Sequence, residues 1–268
     1  MPRPALHLQK WVVNMRIALI TGGARGLGLA TAFRFAKDGM TVVIADLRED
    51  AAASAAASLP GQGHRGLALD VTKETSVDEV FTAVETDSGP VAVLACFAGL
   101  LTTSPGTGKI GLAALTVSEW DMVNDVNARG TFLCIREMAR RRSAAPVAHG
   151  RIITVSSLAG QIGGLQSGAA YSASKGAVLS LTKVAARELA AMGITVNALA
   201  PGPIDTPMLR ETLPGDAKDL KYAGIAQIPL QRVGFPEEIA AAASFLASPD
   251  GGFVTGATID VNGGLSMR

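Results

Sequence analysis

Short apolar runs alternate with longer helical stretches along this 268-residue chain. RIALIT (16–21), TVVIAD (41–46), GLALDV (66–71), VAVLACF (91–97), RIITVS (151–156), ITVNALA (194–200) and ATIDVN (257–262) read as strands. Several are apolar at successive positions, as expected for parallel strands covered on both faces. Helical periodicity falls at 26–38, 49–58, 74–87, 116–142, 169–192 and 236–247. The alternation predicts a single α/β domain. Its core would be a Rossmann-type, doubly wound parallel sheet of about seven strands with helices on both faces. No internal repeat or linker-like break divides it. The longest loops, 98–115 and 201–225, follow the carboxyl ends of strands, where such folds bind ligands. Residues 1–14, with two prolines and no long apolar stretch, are expected to form a leader outside the fold. Residues 15–268 then make the domain.

Composition narrows the function. Hydrophobic residues make up 48% and charged residues 18%, which excludes a disordered chain. A net charge of +1 gives no electrostatic case for nucleic acid or an anionic membrane. The run Arg140-Arg141-Arg142 reads as a helix-end cluster facing solvent and the helix dipole. No apolar run approaches the roughly 20 residues of a membrane span. Cys96 and Cys134 lie in apolar surroundings without CxxC spacing. They are expected to be buried free thiols of a cytoplasmic protein, with no disulfide and no metal site.

The first candidate chemistry is TGGARGLG, Thr21 to Gly28, which follows the first strand and opens the first helix. Gly22, Gly26 and Gly28 allow a tight turn and close backbone approach to a pyrophosphate at the helix N-terminus, with Arg25 and Leu27 between them. Asp46 ends the second strand, 18 residues after Gly28, with Leu47 next to it. A carboxylate there accepts hydrogen bonds from ribose hydroxyls and repels a 2′-phosphate, which favours NAD over NADP. Arg25 pulls the other way, because a guanidinium pairs well with a 2′-phosphate.

Together with NARG (127–130), SS (156–157), YSASK (171–175) and APGPIDT (200–206), that loop resembles the motif set of the single-domain short-chain dehydrogenases/reductases. The resemblance runs from about residue 15 to the C-terminus. One motif departs: CFAG (96–99) stands where the family pattern has NNAG, so the hydrogen bonds of two asparagines are lost while Ala98 and Gly99 remain.

Tyr171 and Lys175 are four residues apart, on one face of a helix. A phenol has a pKa of about 10. A nearby ammonium is expected to lower it and fit the tyrosine for general acid–base work. Ser157, 14 residues before Tyr171, would donate a hydrogen bond to the substrate oxygen. It is preferred to Ser156 because the following LAG matches the family's spacing to a glycine.

The resemblance implies further roles. Asn127 would hold a water linking the lysine to solvent, and Lys175 would also hold the nicotinamide ribose. Asp70 and Val71 would lie at the adenine, unless Asp70 caps the next helix. Ala98 and Gly99 would lie at the nicotinamide-side ribose. Pro201 and Gly202 would shape the loop beside the nicotinamide, with Ile204 and Thr206 on its carboxamide and the phosphates. The segment 206–225 would be a substrate lid, with Met208, Leu209, Leu213 and Tyr222 offering apolar contact. Gln161, Leu165 and Gln166 would form the opposite wall, and Lys109 would add a contact from the loop 98–115.

The expected activity is an NAD-dependent hydride transfer to or from a hydrophobic secondary alcohol, hydroxysteroid or 3-hydroxyacyl group, by a homotetramer. The rival readings are an NADPH-dependent 3-oxoacyl-carrier-protein reductase and a non-catalytic dinucleotide sensor.

Overall fold

The computed structural model describes residues 16–102, 110–164, 167–212 and 224–267. The expected leader, Lys109, Leu165, Gln166, Leu213 and Tyr222 lie outside the described residues. The chain runs β1 (Ile17–Thr21), α1 (Gly26–Lys37), β2 (Thr41–Asp46), α2 (Glu49–Ala57), β3 (Arg65–Ala68), α3 (Glu74–Asp87) and β4 (Val91–Cys96). It continues through α4 (Val117–Asn124), α5 (Gly130–Ala144), β5 (Arg151–Val155), α6 (Ala159–Ile162), α7 (Gly168–Leu189) and β6 (Thr195–Pro201). The last elements are α8 (Pro207–Glu211), α9 (Pro236–Ala247) and β7 (Thr258–Val261).

The strands form one sheet, ordered β3-β2-β1-β4-β5-β6-β7, and every pair is parallel. The continuous apolar runs have the expected cause. In β1, Ile17 and Leu19 face a core shared with Phe81 of α3, Met138 of α5 and Ala185 of α7. Ala18 and Ile20 face the opposite core, shared with Phe35 of α1, Ala52 of α2 and Ile239 of α9. Both faces of the strand are therefore dry.

Three expectations change. The third strand stops at Ala68 and does not reach Asp70. Leu69 N still donates to Asp46 O, but Asp70 Oδ1 then accepts from Thr72 N at 3.0 Å and from the Thr72 hydroxyl at 2.6 Å. That local hydrogen bonding turns the chain out of the sheet. The helix predicted over 116–142 is divided by a π turn, Asp125–Arg129, between α4 and α5. The arginine cluster also does not simply face solvent. Arg142 is buried, with its guanidinium on Glu85 Oε1 and Val91 O, and Arg141 binds Asp78, Glu85 and Glu137. These carboxylates lie on the facing helix α3 or one turn back on α5. Only folding could show that they neutralise the run.

Gly66 of β3 shows how closely α2 packs on the sheet. A Cβ there would lie 2.2 Å from the backbone carbonyl carbon of Ala52. Gly66→Ala is expected to cost about 1–3 kcal/mol by overpacking and to lower the Tm by several degrees. Calorimetry checks this, and an unchanged Tm would mean that α2 moves away freely.

Candidate active site

The strand order reverses between β1 and β4, and the loops that leave those two strands meet there. A Cβ on Gly22 would lie 2.6 Å from Ala98 Cα, and one on Gly28 would lie 2.3 Å from Gly22 O. Gly22 and Gly26 also have positive φ, 66° and 56°. Only glycine fits such a turn. It opens a cleft of about 330 Å³ lined by the loop residues Gly22, Arg25, Gly26, Leu27 and Gly28 and by Asp46 and Leu47 after β2. Asp46 Oδ2 accepts from Ala24 N at 3.0 Å, which fixes the carboxylate against the loop. These are the features a dinucleotide requires: bare backbone at a helix N-terminus and a carboxylate at the end of the neighbouring strand.

At the carboxyl end of β5 the two adjacent serines part. Ser156 is buried, and its hydroxyl donates to Lys175 O at 2.7 Å. The Ser157 hydroxyl accepts from Ala159 N at 3.1 Å and hydrogen-bonds Tyr171. Gly160 makes this possible. A Cβ on it would meet the Lys175 carbonyl carbon at 2.6 Å, so α6 can lie against α7 only with glycine there. The spacing that favoured Ser157 thus has a packing cause.

Lys175 is buried, and its Nζ donates to Val155 O at 2.8 Å, lying 5.6 Å from the centre of the Tyr171 ring. Burial lowers its pKa from 10.5 to about 8. Cys96 pushes it the other way. However, its hydrogen bond with Cys134, together with burial, raises the Cys96 thiol well above its ordinary range, so it carries no charge at neutral pH. The phenol does not follow the expectation from the sequence. Burial raises the Tyr171 pKa, and the hydrogen bond with Ser157 opposes the rise. Desolvation sets the direction, and the Lys175 ammonium is bound to Val155 O.

Asn127 is fully buried in the π turn. Its Oδ1 accepts from Leu100 N at 2.8 Å, and its Nδ2 donates to Leu100 O at 3.0 Å and to the Ser174 hydroxyl at 3.0 Å. The Thr131 hydroxyl donates to the Asn127 carbonyl at 2.8 Å. The widened turn aims the amide inward, toward Leu100 of the loop after β4 and Ser174 of α7.

A family model described as enoyl-(acyl carrier protein) reductase matches residues 22–266. Cis-4-hydroxycyclohexanecarboxylate dehydrogenase of Sinomonas cyclohexanicum is 39% identical over 253 residues, 94% of this chain and 96% of the relative. The chain belongs to the short-chain dehydrogenase/reductase family. The (3R)-3-hydroxyacyl-CoA dehydrogenase of Canis lupus familiaris is 37% identical over 94% of this chain and 96% of its own. The crystal structure of gox2181 superposes with a TM-score of 0.85 at 33% identity, covering 93% of this chain and 95% of that one. The family's enzymes are oxidoreductases that use nicotinamide cofactors.

In this short-chain dehydrogenase/reductase, the cleft also takes in Asp70, Val71, Ala98, Gly99, Thr206 and Met208. The Asp70 carboxyl is held below its usual range, first by the Thr72 hydroxyl. Gly99 lies between Asn127 and Lys175, since a Cβ on it would stand 3.3 Å from Asn127 Oδ1 and 3.4 Å from Lys175 Nζ. Thr206 caps α8, accepting from Leu209 N at 3.2 Å. Asn127, Ser157, Tyr171, Lys175 and Leu209 lie off the cleft lining, as do other expected residues. Pro201 accepts from Leu158 N, and Gly202 donates to Val261 O while pressing against Asn262. Ile204 is buried and bridges to Gly234. The Gln161 amide donates to Asp260 Oδ1 at 2.6 Å.

Leu69, Phe97, Leu100, Val126 and Pro207 line the cleft without having been singled out from the sequence. Phe97 had a signal, as the aromatic residue inside CFAG. The backbone of this motif is tied to β1, where Phe97 N donates to Thr21 O at 3.0 Å and Ala98 N to the Thr21 hydroxyl at 3.4 Å.

The lysine pKa gives a stability prediction. Its value is lower folded than unfolded, so between pH 8 and 10.5 the unfolded chain binds the proton more tightly. The burial cost is therefore full below about pH 8 and is relieved as pH rises to about 10.5. Lys175→Met leaves Val155 O without its donor at every pH, but removes the titrating charge. Relative to wild type, the variant is expected to be favoured by up to about 3 kcal/mol more at pH 7 than at pH 10.5. Denaturant melts at the two pH values check this, and a pH-independent difference would overturn it.

Proposed function

We propose that the protein is an NAD-dependent dehydrogenase/reductase of secondary alcohols and ketones, with Tyr171 as the general acid or base. The observation that carries this reading is the arrangement of Lys175 on the Tyr171 face of α7, its Nζ 5.6 Å from the ring centre, with Asn127 beside it across Gly99 and Ser157 close enough to the phenol to oppose the rise in its pKa. The bound cofactor supplies the hydride donor or acceptor. Tyr171 then gives a proton to a ketone oxygen or takes one from an alcohol. Its raised pKa keeps the phenol protonated at neutral pH, which suits the reductive direction. Ser157 would hold the substrate oxygen as its charge changes. With a pKa of about 8, Lys175 is mostly protonated at pH 7. It would hold ribose hydroxyls and favour a phenolate in the oxidative direction. Asn127 would order the loop after β4 and the proton path beside the lysine.

The apolar side chains Phe97, Leu100 and Met208 around the cleft, and the two dehydrogenase relatives, support a hydrophobic hydroxy or 3-hydroxyacyl substrate. Asp46 supports NAD, and with it counts against the carrier-protein reductase that uses NADPH. The complete set of four polar residues counts against a non-catalytic sensor.

The test is hydride transfer across a panel of secondary alcohols, hydroxysteroids and 3-hydroxyacyl thioesters with NAD(H) and NADP(H). Tyr171→Phe is expected to reduce turnover by at least about 100-fold while NADH binding persists. Normal turnover in that variant would sink the assignment, and a large wild-type preference for NADPH would sink the cofactor choice.

We further propose a homotetramer in the cytoplasm. Two separate sets of exposed apolar side chains support the assembly: Val117, Trp120 and Phe132 on α4 and α5, and Phe235, Phe245 and Phe253 on α9 and its flanks near the edge strand β7. Two such faces, each meeting its own copy across a two-fold axis, would build a tetramer with dihedral symmetry. Light scattering at micromolar concentration is expected to give four times the chain mass of 27.4 kDa, and a monomer would refute it.

A further inference from the structure

Two side chains of opposite sign stand at the adenosine end of the cleft. Asp46 is held by the loop backbone, and Arg25 follows the very residue, Ala24, whose amide holds it. On charge alone they give opposite answers for a cofactor with a 2′-phosphate. The outcome depends on whether the Arg25 guanidinium is free to meet that phosphate. It is already occupied, because Arg25 Nη1 lies 3.3 Å from Glu211 Oε1.

Glu211 is the last residue of α8, and the structure places it there by several contacts. Thr206 caps the helix, Pro207 begins it, and Arg210 binds Asp205 through two hydrogen bonds of 2.7 and 2.9 Å. The start of α8 faces the phosphate loop, since a Cβ on Gly26 would lie 3.9 Å from both Pro207 Cδ and Thr206 Cγ2. Arg25, Thr206, Pro207 and Met208 line the same cleft. The carboxylate is therefore delivered across the cleft's rim by a helix that packs on the loop carrying Arg25.

We propose that Glu211 is a specificity-determining residue that acts through Arg25: by pairing with the guanidinium, it withholds the one cation of the phosphate loop from a 2′-phosphate. This rests on the NAD reading above and adds a second determinant to Asp46. The pair is solvent-exposed, with side chains 66% and 60% accessible, so its effect is modest.

The test is equilibrium binding of NADH and NADPH, followed by nicotinamide fluorescence, to wild type, Glu211→Gln, Arg25→Ala and the double variant. Glu211→Gln is expected to tighten NADPH binding by about two- to fivefold, with NADH affinity unchanged within error. Arg25→Ala in the same chain is expected to abolish the gain, and added salt to shrink it. A gain that survives in the double variant would overturn the proposal, because Glu211 would then act by direct repulsion. An equal change for both cofactors, or none for either, would overturn it as well. A wild type that binds NADPH far more tightly than NADH would refute the NAD reading instead. The dependence of the Glu211 effect on Arg25 would still be measurable.

Discussion

The close approach of two backbones where β1 and β4 part is the constraint on which the rest depends. A Cβ on Gly22 would stand 2.6 Å from Ala98 Cα, closer than real side chains come. Glycine at that position lets the two loops leave the sheet side by side in opposite directions. The phosphate loop then opens α1 on one face, and the loop after β4 runs toward Asn127 and Lys175 on the other. That contact brings the cleft's lining as far as Gly99, which lies beside Asn127 and Lys175.

The polar centre is assembled by satisfying buried groups. Asn127 spends its amide on Leu100 and Ser174, Ser156 binds the Lys175 carbonyl, and the lysine's ammonium meets Val155. Each bond anchors one element to another: the loop after β4 to the π turn, the end of β5 to α7. Such a network orders the site at an electrostatic cost, visible in the depressed lysine and the raised tyrosine. Ser157 is left to turn its hydroxyl to the phenol because its neighbour Ser156 takes the structural role.

Much of this could be read from the chain itself. The strands are doubly apolar because helices cover both faces, so their runs stand out as local sequence. The glycines mark contacts that no other residue allows. Ser157 could be told from Ser156 through Gly160, whose missing side chain lets α6 rest on α7. The reading failed where the partner was remote. Arg142 pairs with Glu85 across two helices, and Arg25 with Glu211 over 186 positions. Nothing local to either arginine announces its carboxylate.

The sequence by itself determined the succession of strands and the glycine-rich loop, and it singled out Asn127, Ser157, Tyr171 and Lys175, because periodicity and motif spacing are properties of neighbouring residues. The tertiary structure alone decided how those groups are charged and aimed. A helix turn brings Tyr171 and Lys175 to one face, but burial sets the direction of both pKa shifts, and Val155 captures the ammonium. Desolvation depends on everything packed around a group, and a one-dimensional pattern does not contain that.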